Sequence, residues 1–335
     1  MSEVCGDPKQ SLLFVELAVG DDTRYQICDE MKRVSIIIPY YNRERLLERT
    51  LRSVKRQTYR PVEIILVDNA STDHSAAVAR RFKEEAEDGM TVHLMRENTP
   101  GAAAARNCGL KAAQGEYVYF FDSDDELSED FLVLAMERAV AEEADVVAAP
   151  TCMVFENGKR KVRFYGYSHA PELQILTGLL STQTVLVRRD FLQRVGDWNE
   201  ELPYWNDWEW GLRILLQRPR LSWIKFRAFH QIHLHAESIT GKDFTSAFPK
   251  MVKALRAARE DLQGQPDSLR CSCEKALGYR TAIMAGHLRH EGRDDLARNL
   301  LQLLPDHNRC LLNRLLYSYT AAGLPAAWRL ARLFL

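Results

Sequence analysis

From residue 34 the chain alternates short runs of β-branched and aliphatic residues with longer stretches of helical period. Val34-Ser35-Ile36-Ile37-Ile38-Pro39 reads as a buried strand. Leu47, Leu51 and Val54 then recur at helical spacing and predict a helix over 43–57, with Asn42 as its N-cap. Val62 to Val67 is a second buried strand. A helix capped by Ser71 or Asp73 follows to about Glu87, then a strand over Thr91 to Arg96 and an Ala-rich helix over 102–113. Tyr117 to Phe121 is a strand covered on both faces. It is followed by a helix over 129–143 capped by Ser128 and a strand over Ala144 to Ala149. This alternation predicts an α/β fold with a mostly parallel central sheet and helices on both faces. Right-handed crossovers bring the strand ends to one rim.

After Pro150 the rhythm changes. Met153 to Phe155 and Val162 to Tyr165 flank Glu156-Asn157-Gly158 as a hairpin. Thr182 to Val187 predicts a strand, and 189–195 a short helix. Pro203 to Trp210 leads into a helix through Leu216, and Leu221 to Ile224 and Phe229 to His235 predict the last strands. From 244 the pattern is helical: Met251–Asp261, Cys271–Glu291, Asp294–Leu303, Leu311–Leu316 and Ala326–Leu335. The expected organisation is a leader of unclear structure over 1–32, a domain over 33–243 with halves 33–125 and 126–243, and a helical C-terminal region over 244–335.

Composition narrows the function classes. The chain has 335 residues and a net charge of −1, and its basic residues are interspersed with acids, so nucleic acid is not an expected partner. Seven cysteines without a CxxC pair fit free thiols in a reducing cytoplasm better than a zinc site. No apolar run is long enough to span a bilayer. Leu12 to Val19 lacks a basic leader and a cleavage site, so no signal peptide is read and a cytoplasmic location is expected. The last helix, with Trp328, Leu333 and Phe334 beside Arg329 and Arg332, fits peripheral contact with the inner membrane surface or a docked terminal helix.

The chemistry centres on Asp122-Ser123-Asp124-Asp125. These acids follow the buried strand directly, where an α/β sheet binds ligands. Carboxylate oxygens there suit Mg²⁺ or Mn²⁺, and those ions suit a diphosphate. The second strand also ends on polar side chains, Asp68-Asn69-Ala70-Ser71-Thr72-Asp73.

Taken in order, several segments resemble a family 2 glycosyltransferase of the GT-A fold. They are Val34 to Asn42; Ser53-Val54 with Gln57-Thr58-Tyr59; Glu63 to Asp73; Gly101 to Gly109; Phe121 to Asp125, similar to the DxD signature; Asn206-Asp207-Trp208-Glu209; and His235 to Ile239. The similarity covers roughly 34–240. One departure is Asp68-Asn69, where the common form is Asp-Asp, and it bears on which base the donor carries.

The resemblance implies a hexosyltransferase that inverts configuration. It would move a sugar from a nucleotide-diphosphate donor, a UDP-sugar by preference, to a hydroxyl of a glycan or lipid-linked acceptor in surface polysaccharide synthesis. Mn²⁺ or Mg²⁺ would be held by Asp124 and Asp122, with His235 as a further ligand or diphosphate contact. Pro39, Tyr41, Glu44, Asp68, Asn69, Arg106 and Asp122 would bind the donor nucleotide. Asp207 would be the general base. Trp205, Trp208 and Asp125 are expected toward the acceptor, since aromatic faces stack on sugar rings. Two other classes remain as alternatives. A sugar nucleotidyltransferase would need a Gly-rich loop where this chain has Tyr40-Tyr41-Asn42-Arg43. The other is a non-catalytic nucleotide-sugar-binding protein.

Overall fold

The computed structural model describes residues 31–164, 166–225, 227–234, 244–304 and 311–335. Lys32 to Leu335 form one compact unit. Its centre is a seven-stranded sheet built from β1 (Val34–Tyr40), β2 (Val62–Asp68), β3 (Met90–Arg96), β4 (Tyr117–Phe120), β6 (Val146–Ala148), β9 (Val185–Arg188) and β10 (Leu221–Trp223). The order is β10-β6-β9-β4-β1-β2-β3, and only β9 runs antiparallel to its neighbours. β1 and β2 are buried at every position, as central strands covered on both faces must be, whereas edge strand β3 is buried only at Met90 and Val92.

Helices cover both faces. On one side α1 (Leu47–Lys55), α2 (Ser75–Glu84) and α4 (Phe131–Ala141) pack against Val34, Ile36 and Ile38. On the other, α3 (Ala102–Ala112) and α7 (Asn206–Leu216) pack against Ile37, Ile65 and Phe120. α3 lies so close to the sheet that a Cβ on Gly109 would meet Ile37 Cγ2 at 2.5 Å, so only glycine fits there. α6 (Arg189–Val195) follows β9.

A second sheet, ordered β5-β11-β7-β8, joins β5 (Glu126–Leu127), β7 (Thr151–Val154), β8 (Arg160–Arg163) and β11 (His230–His233). The expected hairpin is β7–β8, with Cys152 opposite Val162. α5 (Pro171–Thr177) was not expected from the pattern. Its apolar face packs on α7 and on α9 (Asp267–His290), and its Ile175 joins a core that these helices share with α8 (Phe244–Asp261) and α10 (Asp294–Gln302) around Trp208, Leu212, Met251 and Leu277. α11 (Leu311–Ala321) and α12 (Ala327–Arg332) complete the chain. No helix among the described residues is long and apolar enough to cross a membrane.

Three local expectations need correction. Asn42 is not a helix cap: it sits at φ 51, its Oδ1 accepts from Thr72 N at 2.9 Å, and α1 begins only at Leu47. Thr182–Thr184 is a 3-10 turn with a capping box, so strand β9 starts at Val185. α8 begins before Pro249 because Glu291, at the end of α9, accepts from the N–H groups of Phe244 and Thr245 at 2.9 Å.

Candidate active site

The site grows from the carboxyl ends of β1, β2 and β4. The acidic segment after β4 is gripped from α1 by a polar stripe. Thr50 Oγ1 donates to Asp125 O at 2.8 Å, and Ser53 Oγ accepts from Leu127 N at 3.2 Å. Gln57 Nε2 donates to Ser128 O at 2.7 Å, while its Oε1 accepts from Leu132 N at 3.2 Å. The Ser53 and Gln57 positions therefore scaffold the acidic loop, which explains polar residues on a buried helix face.

Asp122 is held from two sides. Arg106 Nη2 donates to its Oδ1 at 2.9 Å, and Gln183 Nε2 donates to its Oδ2. Arg106 is buried, and its guanidinium lies 4.5 Å from the Trp198 ring centroid. Trp198 stacks on Trp210 of α7 at 4.3 Å, and Phe120 of β4 meets both rings edge-on. Arg106 Nη1 also reaches Asn206 Oδ1 at 3.4 Å. The same guanidinium thus ties the first acid of the Asp-Ser-Asp segment to the first residue of α7.

Asp207 follows Asn206 in the first turn of α7. Trp205, in the left-handed conformation at φ 59, precedes the helix, and Asp207 Oδ1 accepts from Trp208 N at 2.9 Å. Asp124 retains side-chain exposure of 21% and pairs with Arg43 at 3.6 Å. Arg49 Nη2 donates to the Asp124 carbonyl.

Asp125 is 2% exposed, so its carboxyl cannot touch an acceptor. It accepts from His233 N at 3.0 Å and meets His230 Nε2 at 2.9 Å and Gln183 Nε2 at 3.3 Å. Burial first, then the charges of Asp124 and Asp122, push its pKa well above the usual carboxylate range. Burial pulls His230 down to about 3, so the imidazole is neutral. Its Nδ1 lies 2.9 Å from the Tyr119 hydroxyl, which donates to Gln183 O at 2.9 Å. One proton arrangement satisfies all of these contacts. A protonated Asp125 donates to His230 Nε2, His230 Nδ1–H donates to Tyr119, and Tyr119 O–H donates to Gln183 O. Asp125 is therefore part of the buried floor beneath the loop.

The expected nucleotide pocket is brought together unevenly. Tyr41 is 55% exposed at the end of β1, whereas Pro39 is buried within β1. Glu44 accepts from His74 N at 3.1 Å and joins the β1 and β2 loops. Asp68 accepts from Ser71 N at 2.8 Å and faces Arg96 at 3.6 Å. Asn69 donates to the Glu97 and Thr99 carbonyls at 3.0 and 2.8 Å and accepts from Gly101 N at 2.8 Å. Three of its four hydrogen-bonding positions thus go to the backbone of the loop before α3, and Asn69 shapes that loop rather than reading a base. An aspartate could not make the two donations, which gives the departure from Asp-Asp a physical meaning.

Trp208 also differs from expectation. It is 3% exposed and its Nε1 donates to the Gln174 and Ile175 carbonyls at 3.0 and 3.1 Å, so it is a core residue and no sugar ring reaches it. Trp205 is half-buried under the Arg280 guanidinium, 4.1 Å from its centroid. His235 lies outside the described residues. Gln183 and His230 were missed. A histidine on the opposite strand face from His233 was the only sequence signal for His230, and nothing local marks Gln183.

Among the described residues no group of three or more His, Cys, Asp or Glu forms a closed metal cage. The acidic loop still fits Mn²⁺ or Mg²⁺. Such ions take one or two carboxylates and complete their shell with water and phosphate oxygens, and Asp124 and Asp122 supply hard oxygens with lone pairs to spare.

Residues 35–196 match the sequence profile of Glycosyl transferase family 2. The chain carries a family 2 glycosyltransferase domain. It is 37% identical to glycosyltransferase GlyG of Streptococcus pneumoniae over 114 residues, 34% of this chain and 37% of that one. It is 32% identical over 136 residues to a GalNAc(5)-diNAcBac-PP-undecaprenol β-1,3-glucosyltransferase of Campylobacter jejuni, 41% of this chain and 43% of that one. The matched stretch thus spans well under two thirds of either relative. The fold is that of S. aureus TarS 1-349 in complex with UDP-GlcNAc, with TM-score 0.66, 20% identity and 90% of both chains covered. It is also that of the mannosyltransferase PcManGT of Pyrobaculum calidifontis in complex with GDP-Man and Mn²⁺, with TM-score 0.58, 20% identity, and 90% and 83% covered. The GT-A fold is the one the family resemblance implied, and the mostly parallel sheet is the one the strand and helix order predicted.

Proposed function

We propose that this protein is an inverting, metal-dependent glycosyltransferase that moves a sugar from a nucleotide diphosphate, with a UDP-sugar first in line, to a hydroxyl of a glycan or lipid-linked acceptor in polysaccharide synthesis. The observation that carries this reading is the Arg106 bridge, which joins Asp122 of the acidic loop to Asn206, next to Asp207. It links a site for a diphosphate to a carboxylate suited to the acceptor.

In this reading Asp207 takes the proton of the acceptor hydroxyl as its oxygen attacks the anomeric carbon from the face opposite the diphosphate. The bond from that carbon to the diphosphate oxygen breaks, and its electron pair leaves with the diphosphate. Asp207 then returns the proton to solvent. Asp124 and Asp122 would hold Mn²⁺ or Mg²⁺, which when bound neutralises charge on the departing diphosphate. His235 is a further candidate ligand. Arg106 and Gln183 keep Asp122 aimed, and Tyr41 offers an exposed ring to the base. The TarS complex with UDP-GlcNAc and the PcManGT complex with GDP-Man and Mn²⁺ support the donor class. The Campylobacter relative's name supports a lipid-linked acceptor, and with it a cytoplasmic location at the membrane face.

Thermal shift of the pure protein with Mn²⁺ against UDP-, GDP- and dTDP-sugars tests the donor. A midpoint raised by one nucleotide class, and only with metal, is expected. No shift with any of them would remove the reading.

A further inference from the structure

We propose that edge strand β8 and the end of α12 form a surface that docks this protein on an anionic lipid bilayer. Among the described residues β8 pairs only with β7, and Lys159-Arg160-Lys161-Val162-Arg163-Phe164 carries four cations and no acid. Cations on an edge strand also guard against edge-to-edge pairing. That role leaves unexplained the large apolar side chains exposed among them: Val162 at 51%, Phe164 at 42% and Tyr167 at 39%.

α12 brings a second patch of the same character. The Arg332 guanidinium sits beside Gly166, where a Cβ would meet Nη2 at 3.2 Å, so the helix end adjoins the segment that follows β8. Leu333 is 77% and Phe334 50% exposed. Residues 311–335 hold three arginines and no acid. Among the described residues, six of the thirteen exposed large apolar side chains fall within 162–167 or 333–335. Apolar side chains set among cations match an anionic bilayer, which accepts both. A second copy of the chain would set like charges against each other. A soluble polyanion would leave the apolar groups in water.

The role of such docking rests on the lipid-linked acceptor reading. β8 lies three strand positions from β5, which continues directly from Asp125, so the docking edge is about 14 Å from the acidic loop. An acceptor held at a membrane surface would thus meet the site at short range.

Sedimentation of the full chain with vesicles of phosphatidylcholine, with and without phosphatidylglycerol, tests the docking. Binding is expected only to the anionic vesicles and is lost at about 0.5 M salt. The triple variant Lys159→Gln/Arg160→Gln/Lys161→Gln should bind roughly 100-fold more weakly. Leu333→Ser/Phe334→Ser should also weaken binding, and both variants should keep the wild-type melting midpoint. Equal binding by wild type and triple variant overturns the proposal, as does binding to soluble polyphosphate in place of vesicles. A thermal shift with UDP and Mn²⁺ separates the two readings. Vesicle binding without a UDP shift sinks the transferase reading alone, and a UDP shift without vesicle binding sinks the docking alone.

Discussion

Arg106 donates to Asp122 at 2.9 Å from within the core, at 6% side-chain exposure, while its other terminal nitrogen reaches Asn206 at 3.4 Å. One buried cation therefore sets the position of the acidic loop relative to the helix that carries Asp207. Arg106→Ala should leave Asp122 without its cation and lower unfolding stability by about 3 kcal/mol, read from urea melts. Arg106→Lys should not restore transfer, because an ammonium lacks the planar fork that spans both partners.

Asp124 and Asp207 should separate binding from chemistry. Asp124→Asn is expected to abolish the Mn²⁺-dependent part of nucleotide binding by calorimetry, and transfer with it. Asp207→Asn should leave nucleotide binding intact and slow transfer by roughly 10²-fold to 10⁴-fold. Full activity in Asp207→Asn would move the base elsewhere.

Asn69 gives a test of the loop before α3. Asn69→Asp restores the commoner acidic pair but turns a carboxylate toward the Glu97 and Thr99 carbonyls. The expected cost is about 1–3 kcal/mol in stability, together with weaker nucleotide binding as the loop shifts. A variant as stable as wild type would show that the loop has a second arrangement.

Stability should also depend on pH through Asp261 in α8. Burial, and then the neighbouring carboxylate of Glu209, raise Asp261 from 3.8 to about 7. Between about pH 4 and pH 7 the folded protein keeps a proton that the unfolded chain has released. This stabilisation is full below pH 4, falls as pH rises, and is gone above pH 7. Asp261→Asn mimics the protonated state. Its melting midpoint should match wild type near pH 4 and exceed it by a few degrees at pH 8. A parallel pH dependence in both proteins would show that another group is responsible.

The sequence by itself determined the strand and helix order over 34–149, apart from the two-residue strand β5, and the acids at the ends of β2 and β4. These follow from periodicities of 2 and 3.6 and from local turn chemistry, which neighbouring residues encode. Only the tertiary structure decided what those residues touch. Gln183 meets Asp122 across 61 positions and His230 meets Asp125 across 105, distances over which no local pattern carries information. The same holds for Trp208. Beside Asp207 its sequence suits a sugar platform, yet α5, α8 and α9 close over it, and burial there excludes any ligand. Strand order and crossovers set those contacts, so local sequence places an acid at the rim while the fold decides whether it faces solvent like Asp124 or the floor like Asp125.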